Sequence, residues 1–178
     1  MKVILIIVGL TALALVGFGI VHAMTVSDPI VTASSVASSV AGMSVTISGQ
    51  VNRPGTFVLD LGATMMDLIN AAGGTSENAD TLAFNTDYVL TAKGSYYIAP
   101  LRDFNNTCSN TPINKVNINS ADVDSLMATA GFSKSVASAL VSYRASAEFK
   151  ALEDITSVPG IGQATYMSVR DKIRLRDA

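Results

Sequence analysis

The chain of 178 residues has no tryptophan, one cysteine and one histidine. The single cysteine, Cys108, excludes an intrachain disulfide and a metal site built on several thiolates. Outside the cell, Cys108 would be either a thiol for an intermolecular disulfide or an inert exposed group. The single histidine, His22, lies at the edge of an apolar N-terminal run, so the rest of the chain cannot form a histidine-based catalytic triad or zinc site. We therefore expect that the protein binds no metal ion and no cofactor and is not an enzyme.

Charged residues are scarce as well, at 15% of the chain, and the formal net charge is −2. This balance argues against a strongly basic nucleic-acid-binding protein. The charges are unevenly spread, because residues 43–112 contain three basic and six acidic residues, whereas residues 113–178 contain eight and seven. Four of those eight basic residues lie among the last nine positions, namely Arg170, Lys172, Arg174 and Arg176. The C-terminal part is therefore the less acidic one.

Residues 3–21 form a run of nineteen residues without a charge, preceded by Lys2. A membrane-spanning helix needs roughly 20 apolar residues, whereas the core of a signal peptide usually has about 7–15. The length favours a transmembrane helix as an anchor in residues 1–24, with a cleaved signal peptide as the alternative. A lysine on the short N-terminal side predicts a single-pass protein of the cell membrane whose C-terminal domains are extracellular. Residues 25–42 are rich in Ser, Ala, Thr and Val and predict a flexible stalk.

Residues 43–101 predict a compact module of two strand pairs around one helix. The predicted elements are strands at 44–48 and 56–59, a helix at 63–72, and a second hairpin formed by 88–90 and 96–98. Turn residues at 52–55 separate the first two strands, and a pair of glycines at 73–74 ends the helix. Such a pattern indicates a small α+β fold.

Three motifs in this module resemble the soluble-ligand-binding β-grasp (SLBB) domain. They are Val51-Asn52-Arg53-Pro54-Gly55, Leu61-Gly62-Ala63-Thr64 and Asp67-Leu68-Ile69-Asn70-Ala71-Ala72-Gly73-Gly74. The resemblance implies a β-grasp-like fold for residues 43–101. Each glycine or proline, taken singly, is more often a turn residue than a ligand contact. Residues 102–116, which follow the module, have the composition of a linker.

Residues 117–178 predict an all-α domain in which two tight turns each join two helices. Asn119 or Ser120 is expected to cap the first helix, residues 136–144 form the second, residues 149–155 begin the third, and Tyr166, Val169 and Ile173 share one face of the fourth. The two turns contain Gly131 and Gly160. This pattern predicts two helix–hairpin–helix units in tandem.

The second turn, Val158-Pro159-Gly160-Ile161-Gly162, is suited to opening a helix. Glycine tolerates a positive φ, and its missing Cβ lets another molecule approach the backbone. The amides of Gly162, Gln163 and Ala164 would then be unpaired donors at a helix N-terminus, where a phosphate can bind. A lone Gly-x-Gly is weak support, but a degenerate copy of the turn around Gly131 strengthens it.

Several motifs resemble the DNA-binding half of the ComEA competence proteins. They are Val116-Asn117-Ile118-Asn119-Ser120-Ala121, Ser142-Tyr143-Arg144, Phe149-Lys150-Ala151-Leu152-Glu153-Asp154-Ile155 and Val158-Pro159-Gly160-Ile161-Gly162. The order of an N-terminal anchor, an SLBB module and tandem helix–hairpin–helix units also resembles that family. The resemblance implies an extracellular, non-enzymatic receptor that binds double-stranded DNA without sequence specificity. It also implies transfer of the DNA to the DNA-uptake channel protein in natural transformation.

By this resemblance, both hairpins contact phosphates through backbone amides. The residues concerned are Gly131, Phe132, Ser133, Lys134 and Ser135 in the first hairpin and Gly160, Ile161, Gly162, Gln163, Ala164 and Thr165 in the second. Phe132 and Ile161 would also anchor their hairpins inward, and the supporting cations would be Lys134, Arg144, Arg170 and Arg174. The chain departs from the family at Ser133, where a glycine is usual, and at Gln163 and Ala164, where charged residues are usual. With fewer phosphate contacts, the affinity for DNA depends less steeply on salt concentration. An alternative to DNA binding is that the hairpins are retained for packing alone.

The complete interpretation is a multi-domain α+β protein with a transmembrane helix, an SLBB domain and an all-α tandem helix–hairpin–helix domain. The rival function is a cell-envelope binding or assembly protein whose SLBB domain recognises a glycan or a protein, with the helical repeats as protein contacts. A secreted nuclease is less well supported, because no compact carboxylate cluster suggests two metal ions. Self-association through the SLBB domain along bound DNA is a further hypothesis, motivated by an acidic module beside a mildly basic one.

Overall fold

The computed structural model describes residues 42–103 and 111–177. The predicted anchor in residues 1–24, almost all of the predicted stalk, and Cys108 lie outside these described residues. Within them, no helix has the length and apolar character needed to cross a membrane.

The N-terminal module is a three-stranded sheet with one helix packed on it. Strand β1 (Gly42–Gly49) is central, with β2 (Gly55–Asp60) antiparallel on one side and β3 (Ser95–Ile98) parallel on the other. Helix α1 (Met65–Ala71) begins with a capping box, in which Thr64 and Asp67 each accept a hydrogen bond from the other's backbone amide. Alternation along β1 buries Met43, Val45 and Ile47 against α1, as expected for a sheet with one covered face.

The predicted second hairpin is wrong. Val89 forms an isolated antiparallel bridge with Thr64, and β3 pairs with β1 instead of with residues 88–90. Lys93 takes a φ of 60° and its amide donates to the carbonyl of Ser44 in β1. This turn therefore places the following strand, β3, beside the central strand. A parallel pairing between distant segments leaves no local pattern in the sequence, which is why hairpin spacing misled the prediction.

The C-terminal module contains short helices closed by one pair of short strands. In chain order its elements are β4 (Val116–Asn117), α2 (Val123–Ser125) continued by a π-helical turn (Leu126–Ala130), α3 (Lys134–Arg144), a 3₁₀ helix (Leu152–Ser157), α4 (Gln163–Val169) and β5 (Ile173–Arg174). Strands β4 and β5 pair in parallel and join the two ends of the module. The core between these elements includes Leu126, Leu140, Phe149 and Ile155, all almost completely buried.

Three details of the predicted all-α domain are corrected by this arrangement. Ile173 lies in β5, together with Arg174, whereas the prediction placed it in the fourth helix, and the third helix is a 3₁₀ helix. The first helix is capped by Asp122, whose side chain accepts from the amide of Ser125. Asn119 acts elsewhere: its side chain accepts from the amide of Phe149 at 2.9 Å and donates to the carbonyls of Phe149 and Leu175.

The two modules pack against each other through both apolar and polar contacts. The apolar core of the C-terminal module also takes in Ala83 and Ala99 of the N-terminal module. Lys115, within the predicted linker, places its Nζ 2.9 Å from a carboxylate oxygen of Asp80, and both side chains are at most 4% exposed. Burial lowers the pKa of Lys115 below its ordinary value, an effect that the neighbouring carboxylate opposes.

Candidate nucleic-acid interface

The first hairpin, residues 131–135, lies between the π-helical turn and α3. Gly131 has a φ of 83°, a conformation that a side chain would strain, and its amide closes the preceding turn on the carbonyl of Met127 at 3.1 Å. Ser133 caps α3 by accepting from the amide of Val136. The side chains of Lys134 and Ser135 are exposed in the first turn of the helix. The hairpin therefore presents a helix N-terminus, a hydroxyl group and an ammonium group to solvent.

The second hairpin, residues 160–165, has the same order of parts. Gly160 has a φ of 91°, and the amide of Ile161 closes the turn on the carbonyl of Val158 at 3.0 Å. Gly162 is the N-cap of α4 and supplies no side-chain hydrogen bond. Because α4 begins at Gln163, the amides of Gln163 and Ala164 lie in its first turn, where the helix itself supplies no acceptor.

Each hairpin is fixed to the core by its apolar residue. Phe132 is 5% exposed and Ile161 is 3% exposed, so the predicted inward packing of both residues is confirmed. Because the apolar side chain points inward, the residues that follow it face outward. Ser133, Gly162, Gln163 and Ala164 are all exposed.

The two hairpins lie side by side and line one groove of about 430 Å³. Gly131 and Ser133 come from the first hairpin, and Gly160 and Thr165 from the second. A Cβ added at Gly160 would lie 3.2 Å from a methyl carbon of Val136, so the second turn approaches the start of α3 closely. The geometry thus brings together the two segments that the sequence analysis singled out.

One cation at this groove was missed from the sequence. Lys172 lines the groove together with Ser168, and its side chain is exposed. It belongs to the C-terminal basic run, from which the sequence analysis selected Arg170 and Arg174 instead. Its position follows from the turn after α4, where the amide of Lys172 donates to the carbonyl of Val169 at 2.8 Å.

The three predicted arginines are all engaged within the chain. Arg144 donates to the carbonyl of Ile118 at 2.9 Å and Arg174 lies 3.6 Å from Asp177. The guanidinium of Arg170 stacks on the ring of Tyr97, with its central carbon 3.8 Å from the ring centroid. Among the predicted cations only Lys134 projects from the hairpins as the sequence analysis expected. Lys134 and Lys172 are therefore the better candidates for phosphate contacts.

The acidic groups near α4 are used internally. Glu153 accepts from the hydroxyl of Tyr166 at 2.7 Å and from the amide of Tyr97 at 2.8 Å. Burial raises the pKa of Glu153, although these two hydrogen bonds oppose the rise. Residues 42–103 and 111–177 contain no group of three His, Cys, Asp or Glu side chains able to hold a metal ion.

The fold and the site define a protein with an SLBB domain followed by a tandem helix–hairpin–helix domain. A family model of the SLBB domain matches residues 44–85, and a family model of the helix-hairpin-helix motif matches residues 111–174. The chain is 30% identical to ComE operon protein 1 of Bacillus subtilis (strain 168) over an alignment of 142 positions that covers 74% of this chain and 69% of that protein. The chain belongs to the ComEA-type family of competence proteins.

Proposed function

We propose that this protein is a membrane-anchored extracellular receptor that binds double-stranded DNA without sequence specificity for uptake in natural transformation. The observation that carries the proposal is the single groove formed by both hairpins. Family membership supports a competence-related role, and the helix–hairpin–helix match supports DNA binding.

The chemistry of the groove favours phosphate over base recognition. The groove offers the hydroxyl groups of Ser133 and Thr165 and the ammonium group of Lys172, and the exposed Lys134 follows Ser133 in the first hairpin. These groups and the backbone amides of the hairpins are donors that suit phosphate oxygens. Contacts to phosphates fix the position of a duplex but do not read its sequence. Two hairpins side by side could contact neighbouring phosphates, so a regular double helix is a better match than a small anion.

The membrane location rests on the apolar run of residues 3–21, which lies outside the described residues. Transfer of DNA to an uptake channel rests on the family alone. Self-association through the SLBB domain is also part of the proposal. It is supported by the exposed edge strand β2 and by the exposed side chains of Val58 (74%), Leu61 (65%) and Val89 (57%) in the same module.

One observation favours the rival function of a cell-envelope binding protein. The SLBB module has a polar cleft of about 540 Å³ lined by Gln50, Asn52, Ser76 and Asn78, among others. Amide and hydroxyl groups of this kind suit a glycan. Ser76 and Gln50 hydrogen-bond to each other at 2.8 Å, so a ligand would compete with an existing contact. This competition makes the DNA receptor the stronger candidate.

The test is a binding titration of the full-length chain in mild detergent against duplexes of unrelated sequence at increasing salt. We expect similar affinities for all sequences and a linear fall of log K with log salt. Replacing Lys172→Gln should make that slope shallower by roughly 0.9, the contribution of one phosphate contact. Lys150→Gln is the matched control, because it removes an equal charge from an exposed position of the same module outside the groove. Failure to bind any duplex at low salt, or equal slopes for the two variants, would contradict this proposal.

A further inference from the structure

One edge of the SLBB sheet is occupied by a side chain of the other module. Strand β3 is one of the two edge strands, and its strand partner is β1. On its other side the amide of Tyr97 donates to Oε1 of Glu153 at 2.8 Å. Glu153 lies in the 3₁₀ helix immediately before the second hairpin. A carboxylate from the hairpin module therefore takes the place that a further strand would have.

The same carboxylate oxygen holds helix α4. The hydroxyl of Tyr166 donates to Oε1 of Glu153 at 2.7 Å, and the side chain of Tyr166 is only 4% exposed. Tyr166 follows the last residue of the second hairpin, Thr165. One acceptor oxygen thus joins the sheet edge to the helix that begins at the hairpin.

Tyr97 also contacts the other end of α4 directly. Its hydroxyl donates to Asp171 at 2.7 Å, and its ring lies beneath the guanidinium of Arg170. Burial and the hydrogen bond to Asp171 raise the pKa of Tyr97, so the hydroxyl remains a donor at neutral pH. Helix α4 has only seven residues, which is too short to hold its orientation alone. Its orientation therefore depends on the contact of Tyr166 in its middle and on contacts at its C-terminal end. Tyr97 makes the C-terminal contacts directly and is linked to Tyr166 through Glu153.

We propose that Tyr97 and Glu153 are positioning residues for DNA binding, through which the SLBB sheet holds the second hairpin in register with the first. The SLBB module is then a structural part of the DNA receptor and not only a separate interaction domain. This inference rests on the proposed DNA binding, because it concerns how the groove is aligned and not whether DNA is its ligand.

The experiment compares two carboxylate deletions in the full-length chain. Glu153→Ala removes the contact to α4, whereas Asp80→Ala removes the buried partner of Lys115 at another point of the boundary between the modules. Both variants remove one negative charge and one contact between modules, and both should lower the midpoint of thermal unfolding. Only Glu153→Ala should weaken duplex binding, by roughly tenfold, when measured well below both midpoints. Glu153→Gln keeps the acceptor oxygen and should restore most of the affinity.

The salt dependence separates a positioning role from a general loss of folded protein. A partly unfolded population lowers the apparent affinity by the same factor at every salt concentration and leaves the slope unchanged. A displaced second hairpin loses phosphate contacts and makes the slope shallower. We expect the shallower slope for Glu153→Ala and the original slope for Asp80→Ala.

A second pair of variants covers the case in which either alanine variant fails to fold. Tyr97→Leu removes the ring under Arg170 and the hydroxyl bound to Asp171, and its control is Tyr88→Leu, which removes the contact from Tyr88 to Asp154 between the same modules. If the unaltered chain binds duplex DNA but the two variants of each pair have the same affinity and the same salt slope, the inference is wrong and the proposed function stands. Absence of duplex binding by the unaltered chain would overturn the proposed function and the inference together.

Discussion

At the scale of single residues, the two glycines of the second hairpin, Gly160 and Gly162, have different structural roles. Gly160 has a positive φ and a methyl carbon of Val136 close by, so any side chain there disturbs the fold. Gly162 has a φ of −90°, and a Cβ added to it would meet nothing within 4 Å. Substitution at Gly160 therefore mixes strain with lost binding, whereas substitution at Gly162 probes the binding surface alone.

We predict that Gly162→Asp folds at least as stably as the unaltered chain but binds duplex DNA less tightly. Aspartate is a favoured N-cap residue, because its carboxylate accepts from first-turn amides. The same carboxylate would stand where a phosphate is expected, and two like charges 4 Å apart repel by about 1 kcal/mol in water, which corresponds to a roughly fivefold loss of affinity. Thermal unfolding and a duplex titration measure the two effects.

The matched control is Gly162→Asn, which has the same shape and also caps helices but carries no charge. Its affinity should lie close to that of the unaltered chain. If the aspartate and asparagine variants bound equally well, the N-terminus of α4 would not face the DNA.

The identities of single residues predict where the hairpins lie, but they do not predict which basic side chains are available for phosphate contacts. Glycine before a buried apolar residue is a local signal, so the turns at Gly131 and Gly160 and the packing of Phe132 and Ile161 could be predicted. The partner of an arginine depends on the fold. Nothing near Arg144 in the sequence indicates that it donates to the carbonyl of Ile118.

At the scale of elements, the segments with a strong local period were predicted and those fixed by distant contacts were not. Strands β1 and β2 and helix α1 lie where alternation and helical spacing placed them. The 3₁₀ helix and β5 were not foreseen. The first is held by Asp154, which accepts from the amides of Lys150 and Ala151, and the second by pairing with β4. Neither contact alters the hydrophobic period of the sequence.

The capping box of α1 implies that the unfolding free energy of the protein falls at acid pH. Hydrogen bonds from the amide and the hydroxyl of Thr64 hold the pKa of Asp67 below its ordinary value of 3.8. A lowered pKa means that Asp67 contributes stability above its unfolded pKa and loses it as the pH falls through the folded value. The unfolding free energy of the unaltered chain should therefore approach that of Asp67→Asn between roughly pH 5 and pH 3.

Urea unfolding of both proteins across that range measures the difference directly. Carboxylates such as Asp122 titrate in both proteins, so their effects cancel in the comparison. A difference that stayed constant with pH would show that Asp67 is not stabilised in its charged form.

At the scale of the whole molecule, the described chain packs as one unit although its sequence divides into two family domains. The boundary contains a buried ion pair, a stacked arginine and hydrogen bonds such as the one from Arg176 to the carbonyl of Phe84. The domain order could be predicted because each domain carries its own motifs. The packing between the domains could not, because Asp80 and Lys115 stand in segments whose composition suggests only loops.

We predict that Lys115→Met destabilises the chain by about 3 kcal/mol, the usual cost of leaving one member of a buried ion pair without its partner. The control, Lys150→Met, alters an exposed lysine and should change the unfolding free energy by no more than about 0.5 kcal/mol. The double variant Lys115→Met with Asp80→Asn should recover part of the loss, because the remaining side chain is no longer charged. Urea unfolding of the full-length chain measures all three, and equal losses for Lys115→Met and Lys150→Met would show that the ion pair does not join the domains in solution.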